Sequence, residues 1–218
     1  MKKIVIVHTS LVSHDELNRL FAELIPEATV DNIIDDSLLK EVKTVGDITP
    51  GIISRMIEYF KAAESIGADL IFNQCSSVGE AAEIAAQAVS IPVLRVDRAM
   101  AEEAVKAGNR IAVVATVGST MKPSCRNVER AAEAAGKEIT IVPVLIDGAM
   151  DILMNEGPER HNQLIIQKLL EIDDKVDAIV LAQGSMTAIL PDLPEMSVPV
   201  FTSPRLGVEK ARKMLFGE

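Results

Sequence analysis

The sequence repeats short blocks of residues at a nearly constant interval, and this repeat constrains the fold more than any other feature. Three blocks recur: residues 3–9 at 110–116 (110 − 3 = 107), residues 68–71 at 176–179 (176 − 68 = 108) and residues 91–94 at 198–201 (198 − 91 = 107). Parallel α/β units resemble one another in general. Matches at one shared interval nevertheless favour a duplication with two pseudo-equivalent halves.

Apolar, β-branched runs alternate with helical patterns along the chain. Uninterrupted apolar runs are typical of parallel strands that are buried on both faces. The predicted strands are 4–7, 70–72, 93–96, 111–115, 139–144, 178–181 and 198–201. The predicted helices are 16–24, 50–66, 79–89, 100–107, 126–135, 163–172 and 206–215. The alternation predicts an α/β fold with two pseudo-symmetric lobes, each a parallel β-sheet flanked by helices: residues 1–97 with 206–218, and residues 98–205.

The composition excludes several functional classes. Aromatic residues make up 3% of the 218 residues, Trp is absent and the net charge is -10, so we expect no nucleic-acid partner. Two cysteines cannot form a disulfide framework and suit a reducing compartment. The apolar run 4–7 is too short for a signal peptide, and no run approaches a membrane span. We therefore expect a cytoplasmic protein with no membrane partner.

Residues that directly follow the predicted strands are the candidate site residues, because ligands of open parallel sheets bind beyond the carboxyl ends of the strands. Two lobes whose strand ends face each other would enclose one active site between them. Hydroxyl groups and backbone N–H groups can bind a carboxylate without an arginine, although hydroxyl residues also cap helices. The candidates for substrate binding are Thr9, Ser10, Ser76, Ser77, Thr116, Ser119, Thr120, Gly184 and Ser185.

Cys75 is the strongest candidate for a reacting group. It lies between the predicted strand 70–72 and Ser76-Ser77, where the sequence resembles a helix start. A thiol at a helix N-terminus meets unpaired backbone N–H groups and the positive end of the helix dipole, and both favour the reactive thiolate. The alternative is an inert buried cysteine. Cys125 follows Pro123, which suits the first position of a helix, and we expect a packed or partly exposed thiol there.

No motif for a cofactor occurs in the sequence. Gly118-Ser119-Thr120 lacks the spacing and the lysine of a phosphate loop. The histidines His8, His14 and His161 are too scattered in the sequence to form a metal set, and there is no G-x-S-x-G motif. We therefore expect an enzyme that needs neither a metal nor an organic cofactor.

Two segments resemble the cysteine motifs of the aspartate/glutamate/hydantoin racemase superfamily. Residues 68–77 (ADLIFNQCSS) are similar to its first motif, a strand that runs into Cys-Asn-Thr, and residues 176–185 (VDAIVLAQGS) to its second, a strand that runs into Gly-Cys-Thr. The resemblance implies a two-lobed homodimer without metal, pyridoxal phosphate or nicotinamide. It also implies that two cysteines exchange the α-proton of a small substrate, since inversion needs an acid and a base on opposite faces of a planar intermediate.

The chain departs from this family pattern at the second cysteine. The two catalytic positions of the family match Cys75 and Gln183, since 183 − 75 = 108, and glutamine cannot act as a general acid or base. Three hypotheses stay open. They are racemisation or epimerisation of a small amino acid or related carboxylate, one-thiol decarboxylation or cis-trans isomerisation of a small dicarboxylate, and small-ligand binding without catalysis.

Overall fold

Two parallel four-stranded sheets form the framework of the computed structural model, which describes residues 1–217. The strands of the first sheet are β1 (Lys2–His8), β2 (Ala28–Ile34), β3 (Leu70–Asn73) and β4 (Val93–Arg95). Those of the second are β5 (Arg110–Ala115), β6 (Thr140–Leu145), β7 (Ala178–Leu181) and β8 (Val200–Phe201). The strand orders, β2-β1-β3-β4 and β6-β5-β7-β8, are equivalent. The predicted fold class, parallel sheets flanked by helices, is confirmed.

Helices connect successive strands in both sheets, as right-handed crossovers between parallel strands require. The α-helices are α1 (His14–Leu24), α2 (Ser37–Val45), α3 (Pro50–Ser65), α4 (Gly79–Ala85), α5 (Arg98–Ala107), α6 (Gly118–Ala135), α7 (Ala149–Glu156), α8 (Pro158–Leu170) and α9 (Ser203–Phe216). Short 3-10 helices occur at Ser76–Val78, Ala86–Ala88 and Gly184–Asp192.

The chain divides into two compact units, which we call the first and the second lobe. The first lobe comprises Met1–Val96 and the chain from Pro204 onward, and the second comprises Asp97–Ser203. Within the first lobe, Arg205 of α9 pairs with Glu23 of α1 at 2.7 Å. Helix α9 also packs closely on the sheet, because a Cβ at Gly207 would lie 2.6 Å from the Val96 carbonyl oxygen. Glu218, the last residue of the predicted first lobe, lies outside the described residues.

Backbone pairing is equivalent in the two sheets. Ile4 pairs with Leu70 between β1 and β3, and Ile111 pairs with Ala178 between β5 and β7. These partners are related by the sequence intervals of the repeat, since 111 − 4 = 107 and 178 − 70 = 108. The interval in the sequence therefore corresponds to the same register in both sheets.

An aspartate secures the amino-terminal edge of each sheet. The Asp69 carboxylate accepts hydrogen bonds from Lys2 and from the backbone N–H of Lys3, and these bonds lower the pKa of Asp69. The Asp177 carboxylate accepts the backbone N–H of Arg110 at 2.8 Å, which is the first cause of its lowered pKa. Both carboxylates bond to the first residues of the strand that lies beside their own.

The core of the first lobe explains why its strands show no polar alternation. Val5 and Val7 of β1 pack on one face of the sheet with α2, α3 and α4, whereas Ile4 and Ile6 pack on the other face with α1 and α9. Successive side chains of a strand point to opposite faces. A strand that is covered on both faces must therefore be apolar at every position.

Several elements differ from the sequence-based prediction. The prediction lacks β2, because this edge strand has partly exposed residues and its apolar pattern is interrupted by Asp31 and Asn32. It also lacks the short helices α2 and α7. The predicted helix 126–135 begins earlier, at Gly118, so Pro123 lies inside α6 and not in its first turn. Tertiary packing tolerates this proline although it removes one hydrogen bond of the helix.

Candidate active site

Cys75 lies just beyond the carboxyl end of β3. Its backbone is extended (φ -114°, ψ 120°), and the Asn73 amide donates a hydrogen bond to its carbonyl oxygen at 3.0 Å. The residue is 9% exposed. The 3-10 turn Ser76–Val78 separates it from α4, whose N-cap is Val78. The α-helix therefore does not start at Ser76-Ser77, as the sequence suggested, and the thiol adjoins a single tight turn.

Two hydroxyl groups of the first lobe are buried without a hydrogen-bond partner among residues 1–217: Thr9 Oγ1 and Ser77 Oγ. Each of these residues is 1% exposed. Buried polar groups are usually paired, and both residues follow strands at the edge where this fold class binds ligands. Both hydroxyl groups therefore have unused hydrogen-bonding capacity at this edge of the sheet. Ser76 is also buried, and Ser10 is half-buried.

The Gln74 side chain ties the end of β3 to the loop between β1 and α1. Its Oε1 atom accepts a hydrogen bond from the backbone N–H of Thr9 at 3.3 Å, and its Nε2 atom donates one to Ser13 Oγ at 2.7 Å. Ser13 is the N-cap residue of α1. This pair of bonds, which we call the first amide brace, holds the loop that carries Thr9 and Ser10.

Gln183 occupies the backbone position equivalent to Cys75, yet its side chain repeats the contacts of Gln74. Its backbone (φ -116°, ψ 137°) resembles that of Cys75, and a 3-10 helix follows directly. Its Oε1 atom accepts the backbone N–H of Thr116 at 3.2 Å, and its Nε2 atom donates to Thr120 Oγ1 at 2.6 Å. We call this pair of bonds the second amide brace.

The other candidate residues of the second lobe differ in accessibility. Ser119 Oγ is buried and has no hydrogen-bond partner among the described residues. Thr120 is buried and donates its hydroxyl hydrogen to the Val117 carbonyl oxygen at 2.7 Å. Gly184 begins a 3-10 helix, and Ser185 is exposed. Ser119 thus carries a buried, unpaired hydroxyl, as does Ser124 farther along α6.

Gln74 and Ser13 are not among the predicted site residues, although the sequence carries a signal for both. Ser13 and Thr120 are separated by the interval of the repeat (120 − 13 = 107). The same interval separates Thr9 from Thr116 (116 − 9 = 107). Gln74 directly precedes the thiol. Matching polar side chains across the repeat, and not only apolar blocks, would have identified the braced loops.

A buried histidine precedes Thr9 at the end of β1. His8 Nε2 lies 2.8 Å from Asn32 Oδ1, and the amide nitrogen of Asn32 donates to Asn18. Because this arrangement presents the oxygen of Asn32 to the ring, Nε2 carries the hydrogen. Burial lowers the pKa of His8. The ring is therefore neutral at neutral pH, and its Nδ1 atom has no partner among residues 1–217.

The second thiol, Cys125, has a different environment. It lies on α6, with its Sγ atom 3.8 Å from Met121 Sδ. Burial and, as the second cause, the charge of Glu129 raise the pKa of Cys125 to about 11. A thiol with this pKa is protonated at neutral pH, as expected for a structural cysteine.

Residues 1–217 contain no group of three or more His, Cys, Asp or Glu side chains that could hold a metal ion. In the same part of the chain, no helix combines the length and hydrophobicity needed to cross a membrane.

The whole-chain pattern matches a known family. A family model described as Asp/Glu/Hydantoin racemase matches residues 9–211. The chain belongs to the Asp/Glu/hydantoin racemase family. The matched residues include Cys75 and Gln183. Among curated protein sequences, none matches it.

Solved racemase structures share the fold of this family member. A provisionally assigned Asp/Glu racemase from Yersinia pestis has a TM-score of 0.74 at 17% identity, covering 98% of this chain and 99% of that one. A glutamate racemase from Bacillus anthracis has a TM-score of 0.71 at 18% identity, and the match covers 98% of this chain and 81% of that one. An aspartate racemase homologue from Pyrococcus horikoshii OT3 has a TM-score of 0.71 at 18% identity, and the match covers 98% of this chain and 99% of that one. At these identities, the likeness establishes the fold.

Proposed function

We propose that this protein is a cofactor-independent isomerase that acts at the α-carbon of a small amino acid or related carboxylate, with Cys75 as the proton-transferring thiol. The observation that carries the proposal is the position of Cys75 beyond the end of β3, in a lobe where the buried hydroxyls of Thr9 and Ser77 have no partner among the described residues. Membership of a racemase family supports the reaction class.

In this reaction, hydroxyl and N–H groups at the strand ends hold the substrate carboxylate, because they donate hydrogen bonds to oxygens that gain charge. The Cys75 thiolate takes the α-proton and becomes a thiol, and the substrate becomes an enediolate. Return of the proton from Cys75 to the same face restores the substrate, whereas inversion needs a proton on the opposite face, and solvent water is its proposed source because Gln183 is not an acid. Thr116, Ser119 and Thr120 are the proposed contributors from the second lobe.

One observation favours a second candidate, a one-thiol reaction on a small dicarboxylate. Gln183 stands at the position equivalent to Cys75 and offers no acid or base. A single thiol can protonate the enediolate that a decarboxylation leaves, or can add to a double bond and allow cis-trans isomerisation. Neither reaction needs a second thiol.

Proton exchange in deuterated buffer tests the proposal and separates these reactions. The protein is incubated with a panel of amino acids that includes aspartate and glutamate. Loss of the α-proton signal is followed by NMR, and the enantiomers are separated by chiral chromatography. We expect exchange of at least one substrate, abolished in Cys75→Ser and kept in Cys125→Ser.

A parallel panel of maleate and substituted malonates reports isomerisation and release of carbon dioxide. Turnover on this panel together with inert amino acids would replace the first proposal with the one-thiol reaction. Undiminished activity of Cys75→Ser on either panel would refute the role of the thiol.

A further inference from the structure

The two amide braces make the same contacts from different positions in the chain. Each joins the first backbone N–H after a strand to a hydroxyl near the start of the following helix. In the first lobe, the brace comes from Gln74 and the thiol from the next residue, Cys75. In the second lobe, Ala182 stands at the position equivalent to Gln74 (182 − 74 = 108). Residue 183 must therefore supply the brace itself.

The backbone supports this alignment independently of the side chains. Gln74 donates its backbone N–H to the Val7 carbonyl at 3.1 Å, and Ala182 donates its own to the Val114 carbonyl at 2.9 Å. Val7 and Val114 are also separated by the interval of the repeat (114 − 7 = 107). The brace of the second lobe is thus displaced by one residue, onto the position that corresponds to the thiol.

We propose that Gln183 is a positioning residue that holds the loop between β5 and α6 in its ligand-binding shape, so that the second lobe binds substrate but transfers no proton. This inference rests on the proposed function. A brace and a thiol compete for one position in this lobe, because alanine at 182 has no group to reach the loop. Residue 183 therefore supplies the brace in place of a thiol.

The braced loop carries the groups that a carboxylate would need. It includes the buried and unpaired hydroxyl of Ser119 and the first turn of α6, whose N-cap Val117 makes no side-chain cap bond. The Gln183 amide bonds at both ends of this segment, so its contacts fix the loop on two sides. A residue that only filled space could not restrain it in this way.

Hydrogen exchange at the loop tests the brace without any substrate. Gln183→Met keeps the side-chain volume and removes both bonds, and we expect the Thr116 amide to exchange about threefold to tenfold faster, as for loss of one net hydrogen bond. Gln183→Glu keeps the acceptor for the Thr116 N–H and loses only the bond to Thr120, whose hydroxyl hydrogen is already donated to the Val117 carbonyl, so its Thr116 amide should exchange close to the wild-type rate. Gln163→Ala, an exposed glutamine of α8, is the control. Unchanged exchange in Gln183→Met would overturn the inference.

Kinetics separate positioning from proton transfer. For a substrate found by the proton-exchange assay, Gln183→Met should raise KM about tenfold and change the Cys75-dependent exchange rate at saturation far less. A fall in that rate with KM unchanged would contradict the inference. If the wild type exchanges no substrate, the proposed function fails, whereas the hydrogen-exchange result still decides the brace.

Moving the brace provides the sharpest comparison. Gln183→Cys adds a thiol and removes the brace, so we expect little racemisation. Ala182→Gln with Gln183→Cys reproduces the Gln74-Cys75 pair of the first lobe and should racemise at least about tenfold faster than the single variant, a difference that requires Cys75. Equal racemisation by the single and double variants would show that the brace is dispensable. If glutamine at the buried position 182 prevents folding, the hydrogen-exchange comparison of Gln183→Met with Gln183→Glu tests the inference by itself.

Discussion

Alkylation with iodoacetamide should distinguish the two thiols of this protein, Cys75 and Cys125. We expect Cys75 to react first because it is the proposed reacting group at the end of β3. Cys125 should react slowly because burial, with the charge of Glu129, raises its pKa from 9.0 to about 11. Only the thiolate reacts. The rate for Cys125, relative to that of an unperturbed cysteine, therefore reports how strongly its surroundings disfavour the Cys125 thiolate.

The magnitude for Cys125 follows from this shift. At pH 8, a thiol of pKa 9.0 is about one-tenth ionised, and one of pKa about 11 is about one-thousandth ionised, roughly a hundredfold difference. The more basic thiolate is intrinsically about sixfold to tenfold more nucleophilic if alkylation follows a Brønsted slope of about 0.4–0.5. Cys125 should therefore react about 10–16-fold more slowly than an unperturbed cysteine, and its rate should rise about tenfold per pH unit between about pH 7 and 9.

Mass spectrometry of the labelled peptides measures both rates, with Cys75→Ser and Cys125→Ser as single-thiol references. Glu129→Gln should accelerate Cys125, because its carboxylate charge is the second cause of the raised pKa. Equal rates for the two thiols, or a plateau in the Cys125 rate near pH 9, would refute this reasoning.

Three further predictions concern stability and cofactors. Gly108→Ala should lower the free energy of unfolding in urea by about 1–3 kcal/mol, because the new Cβ would overlap the Asp177 side chain. Gly118→Ala should change it little, because the new Cβ would lie 4.0 Å from Leu145 Cδ2. Asp69 and Asp177 have lowered pKa values in the folded protein, so their stabilisation is present at neutral pH and lost as the pH falls below about 4. The double Asp→Asn variant should show a flatter acid decline in thermal melts, and an unaltered decline would count against the reasoning. Turnover should survive exhaustive chelation, and a metal needed in stoichiometric amount would contradict this prediction.

The apolar strands, the α/β class and the family were predictable from the sequence because each leaves a local pattern. Strand β1 is apolar at every interior position since both of its faces are covered, and the motif around Cys75 lies within a few residues. Strand β2 was not predictable, because an edge strand with Asp31 and Asn32 lacks that pattern. The homodimer, the cytoplasmic location and the substrate stay predictions.

The sequence by itself indicated two equivalent halves and aligned Gln183 with Cys75. Only the tertiary structure decided what the Gln183 side chain does. Its partners, Thr116 and Thr120, lie 67 and 63 residues away in the chain. The hydrogen-bond partners of Gln183 depend on where the fold places two distant segments at the edge of a sheet. No local pattern in the sequence predicts that placement. The burial of a strand follows a regular hydrophobic pattern and can be predicted from the order of its residues. A single side-chain hydrogen bond between residues so far apart in the chain can be identified only in the folded structure.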